Sequence, residues 1–250
     1  MKQKTIKKYW QEKYFKEVSP TIAHENDIIR IWIEKYIPKV IESGKKSCIE
    51  IGAYPGKYLA IFGKLGYVIN GIDFCEQIDT LKSYFDKLNI QTGMFWKEDF
   101  LKLNLQNKFD IVASFGFVEH FINFEEIIEK HIELLNDGGY LIIEVPNFSG
   151  FFQYWFHFYF DKENLKRHNV KAMNLNKWKD ILAKHNFNII FIDYLGTISL
   201  WVEKDNQSKI HMLCIKLINK LTPILLKLFP VKHRIYSPYL GIVAQKVCNE

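Results

Sequence analysis

Between residues 47 and 145, short apolar runs alternate with stretches in which apolar residues recur every three or four positions, the pattern of strands and helices alternating on a parallel sheet. The apolar runs predict strands at 47–51, 68–73, 89–95, 109–115 and 140–145, with helices at 56–65, 77–88 and 124–135. Asn136-Asp137-Gly138-Gly139 should stop the last of these helices and turn the chain into the next strand. A helix near 175–185, a strand near 188–193 and a final strand within 239–246 follow. Upstream, residues 1–44 predict a helical cap in two pieces. One carries Trp10 and Tyr14; the other, over 27–41, puts Ile28, Ile31, Trp32 and Tyr36 on one face and should break near Pro38. Two segments interrupt the alternation, 148–174 and 202–237. The fold class is α/β, with residues 45–250 as one domain and the two interruptions as insertions where specificity should reside.

Composition agrees with a single core. The chain has 250 residues, 48% of them apolar, enough for one substantial α/β core without division into two domains. Cys48, Cys75, Cys214 and Cys248 lie far apart and no His/Cys cluster has zinc spacing, so reduced thiols and no metal are expected. Basic residues near the N-terminus are not followed by an apolar core, and no run of 18 apolar residues occurs. A soluble, cytoplasmic protein is the expectation. The net charge is +6, but residues 206–249 hold seven Lys or Arg and no acid, leaving 27 basic against 28 acidic residues elsewhere. No nucleic-acid-binding module accompanies that charge, so nucleic acid is not an expected partner.

The candidate chemistry begins after the first strand, in Glu50-Ile51-Gly52-Ala53-Tyr54-Pro55-Gly56. Gly52 lets the backbone pass close to a ligand, and Pro55-Gly56 should open a helix whose free N–H groups suit a carboxylate. Dinucleotide binding is disfavoured, because a GxGxxG loop starting at Gly52 would need glycine where Tyr54 and Lys57 stand. Three further features follow at regular intervals: Gly71-Ile72-Asp73 at the end of the second strand, Asp99-Phe100 after the third, and Phe109 to His120, a buried strand leading to Glu119-His120.

In this order the segments resemble the motifs of class I S-adenosylmethionine-dependent methyltransferases. The resemblance is strong over 47–147 and reaches the last strand. It implies a Rossmann-like seven-stranded mixed sheet with helices on both faces, an antiparallel last strand, and S-adenosylmethionine over the carboxyl ends of the strands. Cofactor contacts are implied for Glu50, Gly52, Tyr54, Gly56, Asp73, Asp99, Phe100, Ser114 and Phe115. Asp73 would accept two ribose hydroxyls, Asp99 would meet the adenine amino group, and Phe100 would pack on the ring. Tyr54 stands where many members have glycine, so either φ is negative there or its ring packs over the cofactor.

Methyl transfer to a hydroxyl needs a positioned acceptor and a base. Glu119 and His120 at the rim of the fourth strand, and His168 in the first insertion, are the catalytic candidates, a histidine near its ordinary pKa of about 6.5 being suited to the task. The aromatic run from Phe148 to Phe160 can wall the acceptor pocket or pack as an added helix. Neither the Asn/Asp-Pro-Pro-aromatic element of base-amino methyltransferases nor acids for Mg²⁺ occur at Ser114-Phe115-Gly116-Phe117, leaving a small uncharged or anionic hydroxyl compound. The Lys-, Ile- and Asn-rich composition suggests a bacterial acceptor such as a sugar or surface-glycan precursor. A quinone-like or lipid acceptor at a membrane, and a noncatalytic cofactor-binding domain, stay open.

Within 207–230, Lys209, Lys216, Lys220 and Lys227 fall on one helical stripe beside a broader one of Leu213, Leu217, Leu221, Leu225 and Leu228, and Pro223 should kink or divide the helix. A monomer with the lysines in water and the leucines buried against its own core is expected, a homodimer or a peripheral membrane contact through this helix being the alternatives.

Overall fold

The computed structural model describes residues 4, 9–10, 18–42, 44–199, 201–202 and 209–248. Strands β1 (Ser47–Ile51), β2 (Val68–Asp73), β3 (Thr92–Lys97), β4 (Phe109–Phe115) and β5 (Leu135–Pro146) are parallel, and β7 (Tyr239–Lys246) runs antiparallel between β5 and β6 (Phe187–Leu195). The sheet order is β3-β2-β1-β4-β5-β7-β6. This is the seven-stranded mixed sheet implied by the resemblance, antiparallel last strand included.

Strand periodicity divides the core into two layers. Ile49, Val112 and Leu141 meet Phe124, Ile127 and Ile128 of α4 (Phe124–Glu133) and Trp178, Ile181 and Leu182 of α7 (Leu175–Ala183). Cys48, Ile111 and Ile142 face the other way, toward α1 (Ile28–Tyr36), α2 (Leu59–Lys64) and α3 (Asp79–Asp86). Asp27 starts α1 by accepting N–H bonds from Ile29 and Arg30. The helix ends at Tyr36 because Pro38 holds Ile37 in extended backbone.

Several boundaries differ from expectation for local reasons. β3 begins at Thr92 because Asn89 takes a left-handed turn, φ 55°. The helix after the Gly52 turn starts at Leu59, three residues beyond Gly56, so Pro55-Gly56 does not open it. Asn136-Asp137-Gly138-Gly139 does not stop the helix: α4 ends at Glu133, β5 begins at Leu135, and the segment is a bulge within the strand, where Phe109 pairs with Leu135 and Ile111 already with Tyr140.

The insertion 148–174 folds into α5 (Phe151–Phe160), α6 (Lys162–Arg167) and a short turn at Val170–Ala172. In the second insertion, α8 (Lys209–Leu228) continues through Pro223 instead of dividing there. Its leucines contradict the expected burial: Leu213, Leu217, Leu221 and Leu228 are 59, 52, 51 and 66% exposed. The helix turns a different face, Ile215, Ile218 and Leu225, toward the body of the protein. Of the upstream cap, Trp10 is described and Tyr14 lies outside the described residues. Among the described residues no helix is long and apolar enough to cross a membrane.

Candidate functional site

Sheet order reverses between β1 and β4, and the crevice that such a reversal opens beyond the carboxyl ends of the strands is the usual ligand site of α/β folds. Here it is a cavity of 360 Å³ lined from five strand ends, within the range of small-molecule sites. Gly52, Asp73, Asp99 and Phe115 reach it, each just at or after a strand.

The turn after β1 is shaped by Gly52. Its φ of 74° is left-handed, and a Cβ there would sit 2.8 Å from the Phe117 ring. Gly56 has another reason to be glycine: φ is 80°, and a Cβ would strike Phe85 of α3 at 2.7 Å. Gly56 therefore seats the turn on α3 and is not in the cavity wall. Tyr54 resolves toward negative φ. It also lines the cavity, its hydroxyl donating to the Val18 carbonyl at 2.6 Å and its N–H to Asp73 Oδ2 at 3.1 Å.

Asp73 is buried, with Oδ1 accepting from Cys75 N–H at 3.1 Å. Burial raises its carboxyl to about 6 even though the Cys75 and Tyr54 N–H groups pull the other way. Asp99 lines the cavity while its Oδ1 accepts from Leu101 N–H at 3.1 Å. Phe100 lines it too, edge to face with Phe117 and His131. Glu50 and Ser114 stand buried outside the lining, Glu50 with Oε2 lacking a hydrogen-bond partner and its carboxyl pushed far up by burial and by Asp73.

At the other end of the cavity, the three catalytic candidates converge across nearly fifty residues of sequence. Glu119 and His120 form a single turn after β4; His168 ends α6. His120 Nε2 and His168 Nε2 lie 3.9 and 3.8 Å from Glu119 Oε1, and the imidazole centroids are 4.7 Å apart. His168 Nδ1 is 2.7 Å from the Asn164 carbonyl, which can only accept, so Nδ1 carries the proton and Nε2 presents a lone pair. His120 Nδ1 faces the Arg167 carbonyl at 3.3 Å.

Both carboxylate oxygens of Glu119 are buried without a hydrogen-bond partner. Burial pushes its carboxyl up to about 8 and pulls His120 down to about 4, with His168 also lowered by burial and by His120. The expected histidine near 6.5 is thus corrected: the imidazoles are neutral, and the group titrating closest to neutrality is Glu119. Among the described residues these three are also the group whose ligand atoms lie within 4.8 Å of one another, a reach that suits a shared proton and, chemically, a divalent cation.

The aromatic run divides. His157 and Gln153 point inward as core, Phe148 packs on His168 at 4.7 Å, and Phe151, Trp155 and Tyr159 face out. Sequence reasoning missed Glu144, Tyr58, Trp201 and Tyr239 in the cavity wall. Glu144 was detectable as the single acid inside the apolar strand Leu-Ile-Ile-Glu-Val; the others carry no local signal. The upstream segment reaches the same rim: Lys4 N–H donates to the His120 carbonyl and its Nζ to the His168 carbonyl, both at 2.7 Å, and Trp10 lies edge to face with His120.

The protein-family model described as "Methyltransferase domain" matches residues 23–191. No curated protein matches the sequence. Among solved structures, the chain is similar to a SAM-dependent methyltransferase from Archaeoglobus fulgidus, 22% identical over 87% of this chain and 93% of that one, TM-score 0.55. It is also similar to magnesium protoporphyrin IX methyltransferase of Synechocystis PCC 6803 with bound SAM, 13% identical over 98% of both chains, TM-score 0.56. A Bacillus halodurans C-125 protein assigned as a methyltransferase is 17% identical over 89% of this chain and 99% of that one, TM-score 0.59. At these identities the solved structures show the shared fold.

Proposed function

Because the chain belongs to the methyltransferase-domain family, an enzyme family whose methyl donor is S-adenosylmethionine, we propose that it methylates a hydroxyl of a small uncharged or anionic molecule, such as a sugar or surface-glycan precursor, in the cytoplasm. The observation that carries this reading is the buried Glu119 carboxyl, its oxygens unpartnered, facing two neutral imidazoles at the rim of the cavity.

The residues present fit the donor. Gly52 leaves a cradle that a Cβ would fill, Asp73 has lone pairs beyond its two N–H contacts for ribose hydroxyls, and Phe100 offers an apolar edge beside Asp99. Glu50, buried behind the turn with Oε2 unpartnered, would present a carboxylate toward a cationic amino-acid moiety, whose charge offsets the burial that otherwise keeps it protonated. Tyr54 and Phe115 complete that wall, and Ser114 supports it from β4. Bound there, S-adenosylmethionine supplies a methyl carbon already activated by its sulfonium. The chain's own contribution is to orient the acceptor oxygen, exclude water with the rings of Phe117, Phe121 and Trp201, and hold the departing proton on Glu119, whose carboxyl at about 8 is matched to neutral conditions.

Turnover with isotopically labelled donor and a panel of hydroxyl compounds, starting from any small molecule that co-purifies, tests the reading by mass spectrometry. An O-methyl product and a kcat/KM that rises with pH to a plateau above about 8 are expected, because the base is ionised only above that value. His120→Ala and His168→Ala should each slow turnover by more than tenfold. Methylation at nitrogen or carbon, a flat pH profile between 6 and 9, or activity that disappears with chelator and returns with a divalent cation would overturn the proton-transfer role.

A separate pH dependence is expected in donor binding. Asp73 must be ionised to accept two hydroxyls, and its carboxyl titrates at about 6, so affinity for S-adenosylhomocysteine should be constant above pH 7 and fall about tenfold by pH 5. Calorimetric titration of wild type and Asp73→Asn checks this: the variant should bind more weakly with no such slope.

A further inference from the structure

α8 is attached to the protein by one face. Ile215 is buried, Ile218 and Leu225 are half-buried, and just beyond the helix Phe229 meets Phe152 and Tyr236 at ring-centroid distances of 5.8 and 4.8 Å. At roughly 100° per residue, the exposed Leu213, Leu217, Leu221, Ile224 and Leu228 fall within an arc of about 80° centred roughly 110° around the helix from that face. Lys216, Lys220 and Lys227, all exposed, form a narrower stripe along one edge of it. The outer side of α5, joined to this region through the Phe152–Phe229 contact, adds exposed Phe151, Trp155 and Tyr159.

An apolar patch of this extent on a protein surface is unfavourable in water unless something covers it. A second copy of the chain is a poor occupant, because a symmetric contact would bring the two lysine stripes into one interface, and residues 206–249 contain no acid to pair with them. An anionic bilayer satisfies both halves of the surface. The leucines enter the boundary between headgroups and acyl chains, the lysines meet phosphate, and Trp155 and Tyr159 take the interfacial position that amphipathic rings prefer.

We propose that α8 and the outer side of α5 dock the protein on an anionic phospholipid surface. The inner side of α5 packs beside His168 through Phe148 and His157, so the docked face backs the acceptor end of the cavity. The surface rests on exposure and charge alone and holds whichever hydroxyl is methylated.

Co-flotation of the full-length protein with phosphatidylglycerol–phosphatidylcholine vesicles, against phosphatidylcholine alone, tests it. Binding to the anionic vesicles at low salt, and its loss at high salt, is the expected result. A Lys216→Gln, Lys220→Gln, Lys227→Gln triple variant should partition about a hundredfold more weakly, at roughly fivefold per lysine. A Leu213→Ser, Leu217→Ser, Leu221→Ser variant should lose flotation yet keep the thermal shift given by S-adenosylhomocysteine, which shows that it still folds. Absence of flotation on anionic vesicles, or equal flotation of both variants and wild type, overturns the proposal. So does light scattering that finds a stable dimer converted to monomer by the serine substitutions.

Discussion

Glu119→Gln is expected to lower turnover by about 10²–10⁴-fold while making the protein more stable. The loss follows from removing the group that holds the acceptor's proton, with both histidines left neutral, His120 at about 4 and His168 held well below its ordinary range by burial and by His120. The gain follows from the same burial. A free carboxyl of about 4.5 that is raised to about 8 must take up a proton on folding at pH 7, and with no hydrogen bond to either oxygen it recovers nothing for that cost. Between those two values the folded state binds one more proton than the unfolded state, so wild-type stability declines as pH rises through the window. The glutamine variant lacks that term. Its advantage should be about 2 kcal/mol at pH 7 after allowance for the amide's own unmet hydrogen bonds, and should shrink toward pH 4.5. Differential scanning calorimetry across pH 4.5–8, beside turnover at pH 8, measures both. A variant that is equally active, or whose stability follows wild type at every pH, would show that Glu119 has a solvated or paired carboxylate and no part in proton transfer.

Gly52→Val is expected to weaken binding of S-adenosylhomocysteine at least a hundredfold. A β-branched residue at φ 74° is strained, and its Cβ would begin 2.8 Å from the Phe117 ring, at the point where the cavity wall must stay thin. Relief requires either moving Phe117, which also packs on Phe100, or shifting the Tyr54–Asp73 hydrogen bond. Either deforms the donor end, and about 3 kcal/mol of strain and lost contact corresponds to that fold-change. Gly52→Ala should fall between the two, carrying the φ penalty with less bulk. Calorimetric titration, with circular dichroism as a control for folding, reads the effect; unchanged affinity in the valine variant would remove the turn from the donor site.

The donor end was legible because its parts lie at strand ends, and strands announce themselves by short apolar runs. Gly52 follows one run, Asp73 ends a second, and Asp99 follows a third. What their alternation could not convey is which neighbours stand outside the wall. Glu50, Gly56 and Ser114 belong to the same motifs, yet Gly56 serves packing on Phe85, and Glu50 and Ser114 are buried off the lining. The shift of the helix start from Gly56 to Leu59 has the same origin, since the left-handed glycine is fitted to α3 before it is fitted to a helix.

By itself, then, the sequence determined which segments form the strands, the turn that approaches the donor and the two regions that supply acceptor-side residues, while its motifs carried the resemblance to the family. These depend on periodicity and turn chemistry, which act over a few residues. Tertiary structure decided the rest. The proton affinities of Glu119, His120 and His168 come from burial and from carbonyls brought in by α6, 47 residues from His120 in the case of Arg167. Lys4, Trp10, Glu144 and Trp201 join the site only through the fold. In α8 the periodicity specified an apolar stripe beside a basic one, but the angle at which a helix meets the domain is set by contacts such as Phe229 with Phe152 and Tyr236, and those turned the leucines outward.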